Sequence, residues 1–110
     1  MIFHYNKLVR DKIIENIKRK GHDCKYRELG KEEYKKELDN KLLEEAQEVI
    51  EAHSAEEIGD LMEVLQAIMR EHQISYEEVQ RAMKQKRTKN GAFDSRLFLI
   101  SNGRNDRYIR

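Results

Sequence analysis

The chain has 110 residues, with 22 Lys and Arg against 21 Asp and Glu and a mean hydropathy of −0.94. That length suits one small domain spanning residues 1–110, and a net charge of +1 excludes a global polarity that would dictate a polyanionic or polycationic partner. A single cysteine, Cys24, excludes an internal disulfide, and no apolar run approaches the ~18 residues of a membrane span. No signal-peptide pattern opens the chain, so the cytoplasm is the expected compartment. With 38% hydrophobic residues the core is thin, and self-association is the expected source of the missing burial.

Met1 to Arg10 lacks helical periodicity and is expected to run extended. Asp11 is a candidate N-cap for a first helix that carries Ile13, Ile14 and Ile17 and ends near Gly21. Lys7, Arg10 and Lys12 stand just before it or in its first turn, where cations do not complement the helix dipole. They read either as ordinary salt-bridge partners or as contacts to a substrate phosphate. Residues 22–30 form a connection, with a short extended piece at Cys24 to Glu28. Cys24 itself reads as a plain, partly buried thiol.

A long second helix is expected from about Lys31 to Ala52, carrying Leu38, Leu42, Leu43, Ala46, Val49 and Ile50. After a turn at His53–Ser54, a third helix runs to about His72 and carries Ile58, Leu61, Met62, Leu65, Ile68 and Met69. Gly59 inside it costs roughly 1 kcal/mol against Ala, and either permits close approach of another helix or is tolerated strain. Ser54 with Glu57, and Ser75 with Glu78, form capping boxes, and Ile74 with Val79 makes a hydrophobic staple. The fourth helix carries Tyr76, Val79, Ala82 and Met83 and stops near Asn90–Gly91. Its basic end, with Lys84, Lys86, Arg87 and Lys89, reads as dipole compensation or as a phosphate clamp. Phe93 to Ile100 is expected to be a final extended segment, and 101–110 a loose tail. The predicted fold is therefore all-α: a helical bundle built from antiparallel helical hairpins, with extended N- and C-terminal segments, assembled as an oligomer.

The informative stretch is 42–64. From Glu37 to Glu63 ten acids stand against one base, Lys41. Position relative to the apolar stripe separates them. In the second predicted helix Leu38, Leu42 and Val49 follow helical spacing, and Glu45 falls in the same line. In the third, Leu61, Val64 and Ile68 form a line that runs back through Glu57. Glu44, Glu51, Glu56 and Glu63 sit farther round and read as solvated. Glu45 shares a helix face with Glu48, and Glu57 with Asp60, because residues three apart are neighbours. In a hairpin closed near Ala52–His53, Glu48 is symmetric with Glu57 and Glu45 with Asp60, so the two pairs lie opposite each other. Carboxylates that close raise each other's pKa, and a divalent cation removes the conflict. Oxygen-only ligands point to a hard ion, Mg²⁺ or Mn²⁺. The competing reading for Glu57 is its place in the capping box, which leaves Glu45 and Asp60 unexplained.

The pattern Glu44-Glu45-x-x-Glu48 followed by Glu57-x-x-Asp60 resembles the all-α nucleoside triphosphate pyrophosphatases of the MazG-like superfamily. The opening Tyr5-Asn6-Lys7-Leu8-Val9-Arg10-Asp11-Lys12-Ile13 resembles one subgroup, close to the phosphoribosyl-ATP pyrophosphohydrolase-like proteins. The similarity continues through Glu33-Tyr34, Lys41-Leu42-Leu43, Asp60-Leu61-Met62-Glu63-Val64, Lys86 and Gly91-Ala92-Phe93, and covers roughly Tyr5 to Leu99. Three positions depart from it: Ile14 stands where the subgroup usually has Pro, Asn90 where it usually has Arg, and the spacing from Glu48 to Glu57 is short. The resemblance implies metal ligation by Glu45, Glu48, Glu57 and Asp60 and hydrolysis of a nucleoside triphosphate to a monophosphate and pyrophosphate.

The expected chemistry is Mg²⁺-dependent cleavage between the α and β phosphates, with Mn²⁺ as a substitute. Glu45 and Glu48 are catalytic through the metal, and Glu44 is a candidate general base. Lys7, Arg10, Lys86 and Lys89 are the candidate phosphate contacts. The expected partners are a nucleoside triphosphate, or phosphoribosyl-ATP, and further copies of the chain in a homodimer or homotetramer. Two other readings stand beside this one. Nine bases between Arg81 and Arg110 could bind a nucleic-acid backbone, although the ten central acids argue against a continuous DNA-facing surface. A catalytically silent helical binding protein is the other.

Overall fold

A computed structural model describes residues 1–104 and 109, and over these it contains four helices and no strand. They are α1 (Ile13–Arg19), α2 (Lys31–Ala52), α3 (Ala55–Glu71) and α4 (Tyr76–Asn90). The chain divides into two compact units, Met1–Ser75 and Tyr76–Arg110. No helix among the described residues is long and apolar enough to cross a membrane.

In the first unit, α1 starts one residue later than the sequence suggests. Its N-cap is Lys12, which makes no side-chain capping bond, rather than Asp11. The cause is a turn in which Ile13 N donates to Arg10 O at 3.1 Å, so Asp11 lies inside the turn instead of at the helix boundary. The other end follows the glycine rule. Gly21, at φ +82°, donates to Lys18 O at 3.0 Å, and His22 donates to Ile17 O at 3.2 Å, the paired closure of a left-handed C-terminal cap.

Helices α2 and α3 form the predicted antiparallel hairpin and pack on each other. Only His53 and Ser54 join them. His53 takes φ 49° and ψ 41°, and its N–H reaches Val49 O at 2.7 Å. Ser54 is extended, and its Oγ accepts from Glu57 N at 3.3 Å. One residue thus ends α2 and the next starts α3. The seam buries Leu38 (2% exposed) and Val64 (9% exposed), with Leu42, Val49, Leu61 and Ile68 half-buried around them. Two buried aliphatic side chains contribute at most about 3–6 kcal/mol, little against the entropy of ordering some forty residues. Leu43, Ile50, Ile58, Met62 and Leu65 remain exposed on the same two helices.

The second unit contains α4, and the described residues beyond it are non-helical. The helix ends at Asn90, and Gly91 N bonds to Arg87 O at 2.8 Å with φ +82°. Residues 91–104 form no helix or strand, and Phe93, Leu97, Phe98 and Ile100 are almost fully exposed. The loose tail expected at 101–110 falls partly on residues 105–108 and 110, outside those described.

Candidate metal centre

Three of the four carboxylates singled out by spacing meet at the hairpin seam. One oxygen each from Glu45, Glu57 and Asp60 lies within 4.8 Å of the others. Glu45 comes from α2, about two turns along from the buried Leu38, and it is itself buried at 9% exposure. It occupies the apolar line because helical periodicity places residues 38, 42, 45 and 49 on one face. Glu57 and Asp60, both half-buried, are one turn apart on α3.

Glu48 is placed differently. It is exposed and outside the tight group. Its charge still reaches the centre. Partial desolvation, then the charges of Glu48 and Asp60, push the Glu57 carboxyl above the usual carboxylate range.

The donor set fits a hard divalent cation. All three groups offer oxygen, which suits Mg²⁺ or Mn²⁺ over softer ions. Mg²⁺ binds oxygen at about 2.0–2.1 Å, so these three groups would hold one ion only by drawing in from the 4.8 Å span.

Among the described residues, three cations pair with acids at this end of the hairpin. Lys41 Nζ is 3.4 Å from Glu45 Oε1 and 3.4 Å from Glu44 Oε2. Lys7 Nζ donates to Glu44 Oε1 at 2.9 Å. Arg10 Nη2 donates to Asp60 Oδ1 at 2.8 Å, and Arg10 Nη1 is 3.8 Å from Glu63 Oε1. Lys7 and Arg10, read as candidate phosphate contacts, are therefore engaged with acids of the hairpin. The Lys7 hydrogen bond, followed by the Lys41 charge, holds the Glu44 carboxyl below its ordinary range, and the same bond raises Lys7. A carboxylate so stabilised is a poor proton acceptor at neutral pH. Glu44 is also half-buried rather than solvated.

Sequence reasoning assigned no role to Lys41, yet the signal was present. It is the single base among ten acids and stands three and four residues before Glu44 and Glu45, the spacings that bring helical side chains together. A small open cleft of about 140 Å³ adjoins it, between residues 6–8 and Glu37, Asn40, Lys41 and Glu44 of α2. That is below the roughly 300 Å³ of ordinary ligand pockets. Its two ammonium groups face two carboxylates. Lys86 and Lys89 lie in the last turns of α4, in the second unit, and both are exposed. Cations there complement the helix dipole.

Comparison of the chain with protein-family models, with curated proteins and with solved structures finds no match in any of the three.

Proposed function

We propose that this chain is a Mg²⁺-dependent nucleoside triphosphate pyrophosphohydrolase, with Mn²⁺ as a substitute ion, working in the cytoplasm as a homodimer or homotetramer. The observation that carries the reading is the meeting of Glu45, Glu57 and Asp60 from two helices within 4.8 Å, on faces otherwise given to core residues. An acid at a core position is costly unless it is paired or binds a cation.

Glu45, Glu57 and Asp60 hold the ion. When bound, Mg²⁺ polarises phosphate oxygens and lowers the pKa of an attacking water. Glu48, exposed and near enough for its charge to act on Glu57, is the residue placed to take the proton from that water, while Glu44 is tied to Lys7 and Lys41. The water oxygen bonds to the α-phosphorus, the bond to the bridging oxygen breaks, and pyrophosphate leaves. Cationic side chains neutralise the charge growing on that leaving group. The cleft beside Lys41 is too small for a whole nucleotide, so most of the substrate lies on an open surface or against a second copy. The exposed apolar residues of α2 and α3 support a second copy.

The test is pyrophosphate release from a panel of ribo- and deoxyribonucleoside triphosphates and phosphoribosyl-ATP, with Mg²⁺ and with EDTA. Wild type is run beside Glu45→Gln, Glu48→Gln and Asp60→Asn. The expected result is metal-dependent release that all three variants lose. Phosphoribosyl-ATP as the sole substrate would identify a biosynthetic pyrophosphohydrolase. No release from any substrate overturns the enzymatic reading in favour of a silent helical binding protein.

A further inference from the structure

The segment from Lys7 to Arg10 is tied to the acidic end of the hairpin at both of its ends. Lys7 reaches Glu44 at 2.9 Å and Arg10 reaches Asp60 at 2.8 Å. Asp60 is one of the three converging carboxylates, and Glu44 shares Lys41 with Glu45. Arg10 and Lys41 together leave the three acids with one uncompensated negative charge.

The two cations differ in how they are held. Lys41 belongs to α2, its side chain is mostly buried, and helix geometry fixes it one turn from Glu45. Arg10 sits on a non-helical segment with its side chain 57% exposed. A divalent cation placed on the same oxygens meets Arg10 as a like charge at close range. The exposed ion pair resists weakly, since such pairs are worth at most about 1 kcal/mol.

We propose that the Lys7–Arg10 segment is a cationic clasp that competes with a divalent cation for the acidic end of the hairpin and, once displaced, offers its two positive charges to a polyphosphate ligand. The clasp rests on the metal-binding reading above and adds an order to it: ion first, clasp released, polyphosphate second. The opposite role is also chemically definite. Arg10 acting as a brace that orients Asp60 would strengthen metal binding, as outer hydrogen bonds to metal ligands do. The two roles predict opposite signs.

The experiment titrates Mn²⁺ alone into the full chain at low ionic strength, followed by the electron paramagnetic resonance of the free ion. Wild type is compared with Arg10→Gln and Lys7→Gln. Arg10→Gln is expected to bind Mn²⁺ about two- to five-fold tighter, with the gain shrinking in ~0.5 M salt. Lys7→Gln is expected to show a smaller gain in the same direction. Equal or weaker binding by Arg10→Gln overturns the clasp while leaving the metal centre standing. Absence of Mn²⁺ binding in wild type and variants alike overturns the metal centre and the clasp with it.

Discussion

Glu57 and Glu44 are carboxylates of one hairpin displaced in opposite directions, and their pH signatures separate. Glu57 is raised by desolvation and by the acids around it. Its penalty to folding is absent below the unfolded value of about 4.3, grows as pH rises through the raised folded value, and persists above it. Glu57→Gln should therefore raise the melting temperature of the ion-free protein at pH 7 and leave it unchanged near pH 3. The same variant should lose metal affinity by at least about ten-fold. A Gln that leaves the melting temperature unchanged, or lowers it, at pH 7 would remove the case for crowded charge. Glu44 is the mirror case. Its lowered pKa contributes stability that is complete above the unfolded value and lost as pH falls through the folded one. With Lys7 well exposed the pair is screened, so Glu44→Gln should cost a few tenths of a kcal/mol at pH 7, and the cost should vanish in urea titrations once pH falls below the lowered folded value. The sequence made Glu45, Glu57 and Asp60 legible because helical periodicity is a local rule. It did not disclose the partners of Lys7 and Arg10, which lie 37 and 50 residues away along the chain. No periodicity reports pairing across such a distance. Glu48 separates from the group for a related reason: hairpin symmetry sets level along the seam and says nothing about rotation about each helix axis.

At the scale of elements, the boundaries follow the chemistry of their ends. Ser54 caps α3 as its side chain predicts, and Gly21 and Gly91 end α1 and α4 in the left-handed conformation they tolerate. The expectation for Asp11 failed because a turn bond from Ile13 to Arg10 preceded the helix, a competition that the capping preference of one residue does not reveal. Gly59 bears on the packing of α3. A methyl group built there meets nothing within 4 Å, so within the described residues no neighbouring element requires the glycine. Gly59→Ala should then stabilise the hairpin by roughly 1 kcal/mol through helix propensity alone, read from the urea midpoint at unchanged slope. A loss of stability instead would mean that a second copy of the chain packs against residue 59.

At the scale of the molecule, the shortfall in burial is the dominant fact. Among the described residues Leu38 and Val64 alone of the apolar side chains are buried, while Leu43, Ile50, Ile58, Met62 and Leu65 line the hairpin in solvent. Composition foretold a thin core, and the alternation of apolar positions could not say which of them face a partner chain. Ile50→Glu and Met62→Glu distinguish the cases. On a monomer both positions are exposed, and changes there stay within about 0.5 kcal/mol. In an assembly that covers them, each substitution should shift sedimentation toward the monomer and lower the melting temperature. The connection at His53 carries a consequence of its own. A left-handed histidine and an extended serine are all that fold α3 back along α2, and the left-handed conformation is one that side chains other than Gly and Asn adopt at a cost. If residues 53 and 54 became helical, α2 and α3 would run on as one rod. Two such rods lying antiparallel would rebuild the carboxylate group between chains, with Glu45 from one and Glu57 and Asp60 from the other. Hairpin exchange of this kind conserves every contact of the seam and changes only the chain that supplies it. His53→Ala should enrich the exchanged dimer and His53→Gly deplete it, as cross-linking across the seam would report.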